Sequence, residues 1–176
     1  SIPEDAPPNP GSHYAVSKLA MEQMARLFAG KLPINVVRPF NYTGPGQREP
    51  YLVPKIVRHF AEGASVIELG NVDVTRDFLD VRTVVEMYAR LVSTPATAGQ
   101  VVNICSGTGR TIRSIVTALE GITGRTMEIR VNPQFVRVGE PQQMVGSTAR
   151  LHALIGAPSA IPFETTLRDM LNACTA

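Results

Sequence analysis

A tyrosine and a lysine set four residues apart, Tyr14-Ala15-Val16-Ser17-Lys18, open a segment whose apolar residues recur every three to four positions. In an α-helix residues i and i+4 share a face, so the Lys18 ammonium can stand beside the Tyr14 hydroxyl. A cation next to a phenol favours the phenolate, which makes the hydroxyl a readier acid and base around neutral pH. The chemistry on offer is proton delivery to, or removal from, an oxygen atom. As an isolated pair the same spacing gives only a solvated contact worth ~0.2–0.5 kcal/mol, so the flanking elements have to decide.

The apolar stripe Val16, Leu19, Ala20, Met24, Leu27 and Phe28 is expected to be the packing face, with Tyr14 and Lys18 turned away from it towards solvent or a cleft. A helix stop at Gly30 to Pro33 leads into the β-branched run Ile34 to Asn41, and then into the turn-rich Tyr42-Thr43-Gly44-Pro45-Gly46-Gln47. This reads as a strand ending in a loop. Ligands of open α/β sheets sit at the carboxyl ends of strands, which points to Pro39 through Gly46.

The series Tyr14-x-x-x-Lys18, Arg38-Pro39-Phe40-Asn41 with Gly44-Pro45-Gly46, Gly70-Asn71, Arg76-Asp77-Phe78-Leu79-Asp80-Val81 and Val102-Asn103-Ile104-Cys105-Ser106-Gly107 resembles, in order and spacing, the extended short-chain dehydrogenase/reductases that act on nucleotide-diphosphate sugars. Within them, Gly70 to Phe78 and Phe135-Val136-Arg137-x-x-Glu140 are similar to segments of the GDP-sugar branch, the GDP-6-deoxy-4-keto-mannose reductases and GDP-mannose 4,6-dehydratases. The resemblance implies an NAD or NADP cofactor. It implies Tyr14 and Lys18 as catalytic residues that also touch the cofactor, together with Pro39, Phe40 and Asn41. On the substrate side it implies Asn41, Arg76, Arg137 and Glu140.

It further implies a preceding dinucleotide-binding half, with a glycine-rich strand-turn-helix and a catalytic serine or threonine. Residues 1–13 are instead a Pro-rich loop, so the chain is expected to be the C-terminal half of such an enzyme. Residues 1–50 would then close the dinucleotide-binding domain, and 51–176 would form the nucleotide-sugar binding part. Ser106-Gly107-Thr108-Gly109-Arg110 follows a strand and precedes a helix, but Ile112 replaces the third glycine of a dinucleotide fingerprint, so an ordinary strand-to-helix turn is expected there.

At 176 residues with 44% hydrophobic and 18% charged residues, the chain can build a globular core, and no apolar run reaches the ~20 residues of a membrane span. A net charge of +2 with basic and acidic residues interspersed gives no reason to invoke nucleic acid. Two cysteines, Cys105 and Cys174, make neither a disulfide framework nor a metal site, and His13, His59 and His152 lack metal-ligand spacing. A cytoplasmic enzyme is the default.

Periodicity predicts helices over about 14–29, 52–62, 81–93, 112–121, 148–155 and 163–173, strands near 35–40, 66–69, 101–105 and 127–131, and an extended stretch at 76–79. The alternation implies an α/β layered fold. The resemblance makes it the C-terminal part of a Rossmann-like NAD(P)-binding protein with its smaller substrate domain. Surface that a missing half would cover predicts self-association, and the family's pairing through the tyrosine helix implies a homodimer or tetramer.

Lys55, near the start of its helix, can meet a phosphate with help from the positive helix end. Arg76 offers a fork of donors suited to a diphosphate. The activity implied is reduction of the 4-keto group of a GDP-6-deoxy-hexulose. A 4,6-dehydratase or epimerase, and a non-catalytic nucleotide-sugar binding or assembly module, are the alternatives.

Overall fold

The computed structural model describes residues 1–136 and 139–175. Six α-helices are joined by short strands: α1 (His13–Arg26), α2 (Leu52–Ala61), α3 (Val81–Ser93), α4 (Ile112–Thr123), α5 (Ala149–Ile155) and α6 (Phe163–Thr175). The strands are β1 (Val36–Pro39), β2 (Asn41–Thr43), β3 (Val66–Leu69), β4 (Thr75–Asp80), β5 (Val101–Ile104), β6 (Gly109–Thr111), β7 (Glu128–Val131) and β8 (Gln143–Met144). Pairings β1 with β5, β2 with β4, β3 with β7 and β4 with β8 are parallel, whereas β4 and β6 are antiparallel. The fold is α/β with mainly parallel pairing.

The apolar periodicity of the helices explains two cores. Val53, Ile56, Val57 and Phe60 recur on α2, and Ile112, Ile115, Val116 and Leu119 on α4, each at the i, i+3, i+4, i+7 spacing of one helical face. They close on Ile67, Leu69, Phe78 and, from α6, Phe163, Leu167 and Met170. The second core joins Leu79, Val84, Met87, Leu91, Val102, Ile104, Leu151 and Ile155, with Val37 of β1 packed against it. Each such buried side chain contributes ~1.5–3 kcal/mol.

Phe40 is the point where the chain changes sheets. Its N–H still donates to the Ile104 carbonyl at 2.9 Å, closing the β1–β5 ladder, and the next residue opens β2 against β4. The segment expected to be a turn therefore begins as a strand: Tyr42 and Thr43 suit extended backbone, and pairing with β4 completes it. Gly109–Thr111 differs in the same way: the strand-to-helix turn contains β6, in register with Asp77 to Thr75. Gly109 is needed there, because a Cβ would lie 2.5 Å from Thr75 Cγ2.

Helix α1 corrects one expectation. It ends at Arg26, and the stripe assigned to packing is largely exposed, with Val16, Met24, Leu27 and Phe28 all open to solvent. Ala15, Leu19 and Ala25 are half-buried, and the one buried residue of the helix is a charged one, Glu22. Glu22 is seated by a sequence-distant partner: its carboxylate accepts from Arg38 Nε at 3.1 Å and Nη2 at 2.7 Å. No helix among the described residues is long and apolar enough to cross a membrane.

Candidate active site

Strand β4 is the floor of the site. Its central carboxylate, Asp77, is fully buried at 0% exposure. One oxygen accepts from the Ser106 amide (2.8 Å) and hydroxyl (2.6 Å), the other from the Gly107 amide (3.0 Å) and the Gly146 amide (3.2 Å). The glycine-rich turn thus aims its amides at an internal carboxylate, with Gly107 at φ +73° where an L side chain is strained. The Asp77 carbonyl in turn accepts from Asn41 Nδ2 at 3.1 Å. One residue fixes the turn after β5, the segment before α5 and the side chain of Asn41.

Next to it, Arg76 is nearly buried, at 9% exposure. Its Nη1 donates to the Thr75 carbonyl at 2.8 Å, and its Nη2 meets Glu140 Oε1 at 2.7 Å. Two carboxylates close in sequence, Asp73 and Asp77, are not its partners. Asp73 pairs with Arg113 and Asp77 is saturated by amides, so two residues expected on the substrate side pair with each other. Arg137 lies outside the described residues.

A cleft of about 1260 Å³ opens over this floor and gathers Tyr14, Asn41, Lys55, Arg76 and Glu140. That is roomier than the ~300–1,000 Å³ of a typical small-molecule pocket. Gln47, Glu49, Pro50 and Tyr51 line one part of it, and Gly70, Asn71, Gln134 and Phe135 form another wall. Gly70 allows that wall to close, since a Cβ there would stand 2.3 Å from the Phe135 carbonyl oxygen. Lys55 does not point along the helix end: its ammonium donates to the Glu68 carbonyl at 2.7 Å and lies 4.7 Å from the centroid of the Phe135 ring.

Tyr14 stands at the cleft edge, 71% exposed, behind the helix cap made by Ser12, whose hydroxyl accepts from the Ala15 amide at 3.1 Å. Lys18 Nζ lies 5.4 Å from the centroid of the Tyr14 ring, over its face. Lys18, Pro39 and Phe40 do not line the cleft. Pro39 is exposed at the carboxyl end of β1, and Phe40 is half-buried against the place where Gly146 lacks a side chain. His59, given no role from sequence, lines the cleft while its Nδ1 stands 2.8 Å from the Lys55 carbonyl. Phe135, Tyr42 and Tyr51 line it too, and the signal for Tyr42 was its place at the start of the turn-rich segment after a strand. Cys105 is buried, and burial first, with the Asp77 charge, pushes its thiol up to about 12. Among the described residues no cluster of His, Cys, Asp and Glu could hold a metal ion.

Residues 2–105 match the model of the NAD dependent epimerase/dehydratase family. The chain belongs to that family. Its similarity to curated family enzymes extends further along the chain. It is 37% identical over 178 residues to a GDP-6-deoxy-D-mannose reductase of Pseudomonas aeruginosa, covering 97% of this chain and 58% of the relative. It is 37% identical over 155 residues to a GDP-6-deoxy-D-talose 4-dehydrogenase of Aggregatibacter actinomycetemcomitans, covering 88% of this chain and 52% of the relative. The chain therefore spans a little over half the length of these curated relatives. Among solved structures, RMD from Pseudomonas aeruginosa complexed with NADPH superimposes with a TM-score of 0.89 at 36% identity, over 99% of this chain and 60% of that one.

Proposed function

We propose that this chain is the substrate-side part of an NAD(P)-dependent nucleotide-sugar enzyme that reduces the 4-keto group of a GDP-6-deoxy-hexulose. The observation that carries the reading is the cleft, where a helix-borne phenol, an asparagine held by β4 and a buried arginine converge on one space of nucleotide-sugar size. The two GDP-6-deoxy-sugar relatives, one named for reduction and one for dehydrogenation at C4, support the same bond in the two directions.

The residues present suit a nicotinamide cofactor. Tyr14 and Lys18 present a phenol and an ammonium with no carboxylate partner among the described residues, and Tyr14 shares the cleft with Asn41. Tyr14, Lys18, Pro39, Phe40 and Asn41 would hold the cofactor, which when bound supplies the hydride for the sugar carbonyl carbon. Tyr14 Oη would give its proton to the carbonyl oxygen, and Lys18, its ammonium over the Tyr14 ring, would help to hold the cofactor. Asn41, oriented by the Asp77 carbonyl, presents its amide to the sugar. Arg76 receives the diphosphate, where a fixed guanidinium in a partly dry site binds an anion more strongly than a solvated lysine does. Glu140 keeps that guanidinium in place and offers an acceptor to a ribose hydroxyl.

Residues 1–50 are proposed as the end of the dinucleotide-binding part and 51–176 as the nucleotide-sugar part. The core that packs Val37 against Leu79 to Ile155 crosses that boundary and binds the two together. A homodimeric or tetrameric enzyme in the cytoplasm, acting without nucleic acid or membrane, completes the proposal.

The test is the oxidation of NADPH or NADH by the full-length protein, followed by absorbance with GDP-4-keto-6-deoxy-mannose and with its UDP counterpart. The reading expects turnover with the GDP compound and much less with the other. Release of water from GDP-mannose without net cofactor oxidation would identify a dehydratase instead.

A further inference from the structure

We propose that the Glu22–Arg38 ion pair is the positioning device for Tyr14, setting the proton-donating helix in register with Asn41 across the cleft. Among the residues of α1, Glu22 alone is buried, at 8% exposure, and it is charged. A buried ion pair is often no more stabilising than an apolar contact of the same volume, and what it adds is a fixed geometry.

The geometry is that of a fork. Arg38 Nε and Nη2 donate to the two Glu22 oxygens at 3.1 and 2.7 Å, and its Nη1 donates to the Glu4 carbonyl at 2.8 Å. Paired, planar donors fix direction as well as distance. Arg38 sits on β1 in register with Asn103 of β5, so the fork is anchored to a paired strand. Three residues further on the same chain comes Asn41, locked to the Asp77 carbonyl at 3.1 Å. Tyr14 is eight residues before Glu22, a lever of ~12 Å along the helix at 1.5 Å per residue. A tilt of a few degrees about the fork therefore moves the Tyr14 ring by on the order of 1 Å, a displacement that can slow a proton transfer ~100-fold. Substrate-holding residues Lys55 and Arg76 lie on α2 and β4, beyond this lever. Arg38 first, through its hydrogen bonds, also holds the Glu22 carboxyl below the usual carboxylate range.

The inference rests on Tyr14 as the proton donor, so Tyr14→Phe is included to separate the two. In the full-length protein, with saturating cofactor and varied GDP-4-keto-6-deoxy-mannose, Glu22→Gln is expected to lower kcat ~10–100-fold with KM within ~2-fold. Arg38→Lys keeps the charge and removes the fork. It carries the same prediction, and serves where Glu22→Gln does not fold. The double variant is expected to be no slower than the worse single, because the pair acts as one unit. Arg26→Ala removes the exposed neighbour that reaches the same carboxylate at 3.3 Å, and kcat is expected to stay unchanged.

Unchanged kcat in folded Glu22→Gln or Arg38→Lys, multiplying effects in the double variant, equal loss in Arg26→Ala, or failure of both single variants to fold would overturn the positioning role. A wild-type enzyme that turns over and a Tyr14→Phe variant that does so equally well would overturn the reading of Tyr14 itself.

Discussion

Asp77→Asn isolates what a buried carboxylate without a cationic partner does for this fold. The carboxylate collects four donors, two on each oxygen, from the turn after β5 and from Gly146. An amide can satisfy only one side. Its best orientation keeps the Gly107 and Gly146 amides on the oxygen and turns the NH2 towards Ser106, whose hydroxyl can rotate to accept. The Ser106 amide then has no acceptor and faces another donor.

A buried unpaired N–H costs ~1–3 kcal/mol, and each remaining bond falls from the ~1.5–3 of a charged acceptor to the ~0.5–1.5 of a neutral one. Relief of the burial cost of the charge offsets part of this. The net expectation is destabilisation by ~2–4 kcal/mol, well above the ±0.5 kcal/mol of a surface change. With m near ~2 kcal/mol/M, the urea midpoint falls by ~1–2 M. Denaturation of the full-length variant, followed by circular dichroism, measures it. Asp73→Asn is the control: its exposed ion pair with Arg113 is worth at most ~1 kcal/mol. A midpoint for Asp77→Asn equal to or above that of the control would refute the assignment of the carboxylate as the clamp of the site.

Gly70→Ala places a methyl group against the Phe135 carbonyl, backbone that cannot step aside cheaply, so the aromatic wall shifts and KM for the nucleotide sugar rises at least ~10-fold while the fold persists. A KM within twofold of wild type would show that this wall does not touch the ligand. Acid stability carries a further signature. Arg38 holds Glu22 below its ordinary value of 4.5, so the pair's contribution is complete above that pH and is lost as pH falls through the depressed folded value. Glu22→Gln removes that increment, and its denaturation midpoint should converge on wild type as pH drops below about 4.5.

Most helices were legible because their apolar residues keep strict periodicity: Val53 to Phe60 on α2 and Ile112 to Leu119 on α4 could fold no other way. The parallel strands β1, β3, β5 and β7 were legible as β-branched runs. Strands β2, β6 and β8, two or three residues each, were not, because runs so short carry no periodic pattern. On α1 the apolar stripe was legible and the buried contact was not, because Glu22 pairs with Arg38, sixteen residues away. Of the expected site, Tyr14, Asn41, Lys55, Arg76 and Glu140 meet in one cleft. The pairing of Arg76 with Glu140 and the turning of Lys55 onto Phe135 depend on segments up to 80 residues apart, beyond any local pattern.

The most direct measurement of the central claim is the single-turnover rate of the full-length Tyr14→Phe variant with NADPH and GDP-4-keto-6-deoxy-mannose, alongside the affinity for the GDP-sugar. Loss of a positioned general acid predicts a ~10²–10⁴-fold slower chemical step with affinity unchanged. A rate within threefold of wild type would contradict the account.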